Sequence, residues 1–82
     1  MNQHLENNNM YAACFILKTD KEQIQKIDQM LENTWRVGKI NLVEYKPSHW
    51  IVSFVTDDNK KPFKFMDIVT GMGVRVLKYA ID

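Results

Sequence analysis

Few side chains in this 82-residue chain could carry chemistry, and they are scattered. Cys14 sits inside the apolar run Tyr11-Ala-Ala-Cys-Phe-Ile-Leu17, with no charged neighbour in sequence to favour a thiolate, so it reads as core packing. His4 and His49 lie far from each other and from the cysteine, whereas a zinc pattern needs paired ligands at short spacings. Asp57 and Asp58 precede an asparagine and a proline, where carboxylates cap helices and close turns, and Asp67 stands apart from them. Gly71-Met-Gly73 lacks the length and the lysine of a phosphate loop. The expectation is a chain that is not an enzyme and that uses no cofactor and no metal. A catalytic reading would need a pocket that brings Asp57, Asp58 and His49 together.

The side chains suited to binding are concentrated between Lys39 and Thr56. Two runs rich in β-branched and aromatic residues flank Pro47-Ser48, which predicts a β-hairpin. With a two-residue loop, Lys46 faces His49, Tyr45 faces Trp50 and Val43 faces Val52. Alternation then places Val43, Tyr45, Trp50, Val52 and Phe54 on one face. Ile40, Leu42, Ile51 and Val55 fall on the other. The first strand would add Phe15 to the aromatic face, and the last would add Leu77 or Tyr79. Because Ser53, Ala12 and Cys14 are small, the aliphatic face is expected to receive the helices. Phe15, Val43, Tyr45, Trp50, Val52 and Phe54 are then left as an open binding face. Such a patch needs a cover, most simply a second copy in a homodimer, otherwise a target protein. Lys39, Lys46, Arg75 and Lys78 border the sheet, and a rim of this kind beside aromatics also suits single-stranded RNA or DNA. The formal charge of +1 leaves few cations for phosphate contacts.

The elements that must position these residues follow from period and punctuation. The run from Tyr11 to Leu17 is a strand, continuous enough to be covered on both sides. Thr19-Asp-Lys-Glu22 has the form of a capping box with Thr19 as cap. Ile24, Ile27, Leu31 and Trp35 then follow helical spacing to an end near Thr34. After the hairpin, Asp57 to Pro62 is a loop, and Pro62 suits the first position of a second helix. That helix would bury Phe63, Met66 and Val69 and end at Gly71 or Gly73. The alternative for Ile68, Val69 and Thr70 is a strand. Val74 to Ile81 closes the chain as a strand. The order βαββαβ is that of the ferredoxin-like fold: an α+β domain with a four-stranded antiparallel sheet, its first and third strands central, and two helices on one face.

Two of these strands resemble the RNA-recognition motif, which shares that topology. Cys14 to Thr19 is similar to the family's hexameric motif, with Phe15 at a stacking position. Ile51 to Asp57 is similar to its octameric motif, with Phe54 at a stacking position, Val52 where the family has a second aromatic and Asp57 where it has the last. The resemblance implies base stacking by Phe15 and Phe54.

Composition bounds the rest. Eighty-two residues, 45% hydrophobic, make one domain, expected over 10–82 behind a polar, disordered lead at 1–9. A single cysteine excludes an internal disulfide, and neither a signal peptide nor an apolar run of membrane length is present, so a cytoplasmic regulatory or inhibitor protein is expected. The leaning to Lys, Asn and Ile fits an AT-rich coding sequence of the kind found in phages and mobile elements.

Overall fold

The computed structural model describes residues 10–82; the lead expected at 1–9 lies outside them. The elements are β1 (Tyr11–Lys18), α1 (Lys21–Gln29), β2 (Gly38–Lys46), β3 (His49–Thr56), α2 (Lys61–Gly71) and β4 (Arg75–Ile81). All strand pairings are antiparallel, in the order β2-β3-β1-β4, so the first and third strands are central. The segment with competing helix and strand readings is helical.

α1 begins one residue later than the capping-box reading. Asp20 is the cap, and its carboxylate accepts from the Gln23 amide at 2.9 Å. Thr19 is engaged elsewhere: its amide donates to the Ser48 carbonyl, and its own carbonyl accepts from Trp50 Nε1 at 3.2 Å. The helix widens into a π-helical turn over Met30–Thr34, closed by Trp35 N–H to Met30 carbonyl at 2.8 Å. In α2, Pro62 occupies the first turn, and Gly73 takes a φ of +88° just past the end, where a Cβ would be strained.

Both helices pack on one face of the sheet. β1 supplies Ala13, Phe15 and Leu17, and β3 supplies Trp50, Val52 and Phe54; they meet Ile24, Ile27 and Leu31 from the first helical segment and Phe65 and Val69 from α2. Phe65 stands at the centre, 4.7 Å from the Phe15 ring and 5.4 Å from that of Phe54. Trp35 packs edge-on against Phe65, and Gln23 Nε2 donates to the Met72 carbonyl at 2.8 Å, tying the start of α1 to the end of α2. The phase of α2 differs from expectation. Pro62, Phe65 and Val69 are buried, while Phe63 is exposed, because the helix centres on the aromatic cluster.

The hairpin corrects the expected faces. Lys46 does pair with His49, but Glu44 pairs with Trp50, Val43 with Ile51 and Leu42 with Val52. A bulge at Tyr45 sets this one-residue shift. Two-residue hairpin loops that match strand twist need a positive φ at their first central position, which Pro47 cannot adopt; Ser48 takes φ +66° instead, and the bulge supplies the missing twist. Which face receives the helices is also reversed: Phe15, Trp50, Val52 and Phe54, expected on the open face, lie beneath them, at 0%, 6%, 0% and 0% exposure. Burying four large apolar side chains contributes about 1.5–3 kcal/mol each, which outweighs the closer helix approach that small residues would allow. Ile40 and Leu42 join them as expected, partly buried against the core, whereas Ile51 and Val55 turn to the other side.

Candidate protein-docking face

β1 alternates strictly. Its large odd-numbered side chains point into the core, and Ala12, Cys14, Ile16 and Lys18 point away from it. Cys14, expected in the core, is exposed on the open face. Residues directly opposite across antiparallel neighbours share a face, so the pairing extends each of these positions across the sheet. Asn41, Ser53, Cys14 and Ala80 form one row. Val43, Ile51, Ile16 and Lys78 form the next, toward the hairpin, and Lys46, His49, Lys18 and Arg75 the last. Beyond the first row, Val55 pairs with Ala12, and the Asp82 amide donates to the Ala12 carbonyl.

The small side chains make a trough. A depression of about 540 Å³ is lined by Ala12, Cys14, Asn41, Ser53, Val55 and Ala80, with Lys39 and Asp82 at its end. A second, of about 200 Å³, adjoins it at Cys14 and Ala80 and reaches Ile16 and Lys78. Ile16 and Ile51 are half-buried and Val43 is exposed, so the wall toward the hairpin is apolar, and half-buried Val55 bounds the opposite side. Lys39 sits at the far end because its φ of +49° and a pairing shift between Gly38 and Asn41 kink the start of β2.

Of the expected binding face, only Val43 and Tyr45 are on the surface, at 53% and 46% exposure. Tyr45 stands at the bulge, edge-on to His49 at 5.8 Å and with Lys46 Nζ 6.0 Å from its ring. The expected basic rim is divided: Lys46 and Arg75 end the hairpin row on the two outer strands, Lys78 is one row in, and Lys39 is at the opposite end. Tyr79 lies on the helix side, its ring 6.4 Å from that of Phe15, and Leu77 is the extra residue of a bulge opposite Ile16 and Leu17. The sequence reading missed Ala12, Ile16, Lys18, Ser53 and Ala80. The signal that could have found them is the lysine that ends β1: Lys18 must face away from the core, and strict alternation carries Ile16, Cys14 and Ala12 to the open face with it.

His49 and the Asp57–Asp58 pair stand at opposite ends of β3, so no common pocket forms. Asp58 serves its own loop: Oδ1 accepts from the Lys60 amide at 2.9 Å, and its amide donates to Thr56 Oγ1. Among the described residues no three His, Cys, Asp or Glu side chains are grouped closely enough to hold a metal ion. No helix among them is long and apolar enough to cross a membrane. Comparison of the chain with protein-family models and with curated proteins gives no match.

Proposed function

We propose that this chain is a non-catalytic regulatory or inhibitory protein of ferredoxin-like architecture that acts by occupying another protein through the open face of its sheet. The element order, with β1 and β3 central and both helices on one side, supports the architecture. The observation that carries the functional reading is the trough, in which the small Ala12, Cys14, Ser53 and Ala80 lie between apolar Val55 on one side and Ile16, Ile51 and Val43 on the other, opposite a filled core. A sheet face without a partner ordinarily carries polar residues at such positions.

Two other readings lose support. Base stacking on Phe15 and Phe54 would require aromatic rings on the open face, and both rings are fully buried beneath the helices. A face-to-face homodimer has only the four strands to work with. At about 4.8 Å per strand and 3.3 Å per residue the face measures roughly 500 Å² per copy, at the lower limit of a stable interface. Its hairpin end also carries Lys46, Lys18 and Arg75, which would meet their own copies. Affinity capture from the native source with wild type and with Ile51→Arg tests the proposal. One specific partner lost from the variant, with the circular dichroism spectrum unchanged, is the expected result. A turnover abolished by alanine at a single polar side chain would overturn it.

A further inference from the structure

Lys46, His49, Lys18 and Arg75 stand at one level on the four successive strands, all on the open face. Strand spacing makes this row roughly 15 Å wide. His49 donates from Nδ1 to the Pro47 carbonyl at 2.8 Å. Like charges placed directly opposite on neighbouring strands disfavour the fold, yet Lys18 and Arg75 are such a pair. One level in, Val43, Ile51 and Ile16 form an apolar row that ends in Lys78.

We infer that this end of the face docks an acidic amphipathic segment of a partner protein, its carboxylates on the cationic row and its apolar side chains over Val43, Ile51 and Ile16. The inference rests on the reading of the open face as a docking surface and supplies the chemistry of its occupant. Charge complementarity selects an acidic partner. The apolar row immediately beside the cations selects a segment that mixes acids with apolar residues over a bare polyanion. Among the described residues the rings placed on this side are Tyr45 and His49, set edge-on to each other at 5.8 Å near the sheet edge, so a nucleic acid would find no flat stacking platform. A second copy would bring a further cationic row to the same face.

The test uses three labelled probes in fluorescence anisotropy: a peptide alternating leucine with glutamate, the same peptide with lysine for glutamate, and oligothymidylate. The acidic peptide is expected to bind about tenfold or more tightly than the other two, and added salt weakens it. Lys18→Glu with Arg75→Glu should abolish that preference, whereas Ser53→Arg should weaken both peptides while leaving the row's salt dependence. Equal binding of the two peptides, tighter binding of oligothymidylate, no binding of the acidic peptide, or dimerisation of the free chain in sedimentation overturns the inference. If Ser53→Arg weakens binding and the charge reversal does not, the docking face stands and its acidic occupant falls. If neither variant matters, both fall.

Discussion

Lys18→Glu should make the folded protein more stable. Lys18 is on the central strand β1, directly opposite Arg75 on β4 and His49 on β3. For charged tips about 7 Å apart in water, Coulomb repulsion is about 0.6 kcal/mol, and reversing one charge turns that cost into an equal gain. Screening and the freedom of exposed side chains remove about half. The net expectation is roughly 0.5–1 kcal/mol, within the range of cross-strand pairs. For a domain of this size that raises the Tm by about 3–6 °C. Thermal melts followed by circular dichroism in dilute buffer measure it. The same melts in strong salt should lose most of the gain, and Lys18→Gln should deliver about half. A Tm that falls, or a gain indifferent to salt, would refute the idea that the row repels itself.

Three further outcomes follow from the packing. Phe54→Ala should cost about 3–5 kcal/mol and Val43→Ala under about 0.5, although both were candidates for the same surface; urea midpoints measure the difference. Asp20→Ala should cost about 1 kcal/mol through loss of the α1 cap, and Thr19→Ala much less, since the Thr19 contacts shown are made by its backbone. Ser48→Gly should stabilise by about 0.5 kcal/mol, because relief of the left-handed φ exceeds the added entropy of the unfolded chain, and its amide bond to Glu44 Oε2 is kept; chemical denaturation checks the sign.

The element order and the central placement of β1 and β3 were legible because each element carries a strong local signal: the apolar run of β1, the spacing of Ile24, Ile27 and Leu31, and Pro62 in the first turn of α2. The faces of the hairpin were not. A strand has period two, so one extra residue at Tyr45 exchanges its two sides, and the register drawn from Pro47-Ser48 failed beyond Lys46. Pro47 was itself the warning, since it bars the turns that need no bulge. That error affects β2 alone, moving Val43 from beside Val52 to beside Ile51; the assignment of Phe15, Trp50, Val52 and Phe54 to the surface was a separate one, made by giving the helices the face with the small side chains Ala12, Cys14 and Ser53. The lysines and arginine of the rim were assigned to the sheet border correctly. Their alignment with Lys18 and His49 could not be seen until the strands were in register.

The bulges have a bearing on how this protein avoids its own copies. β2 and β4 are the outermost strands, and each is irregular: β2 near both its ends, β4 at Leu77. Unpaired amides and carbonyls on a flat outer strand are a template on which another chain can continue the sheet, and through which folded proteins polymerise. Here bulges bend and further twist both outer strands, and Lys39, Lys46, Arg75 and Lys78 all lie on those same two strands. Growth sideways is thus penalised by shape and by charge together. The docking proposed for the trough runs instead along the sheet normal, a direction in which no further strand can be added.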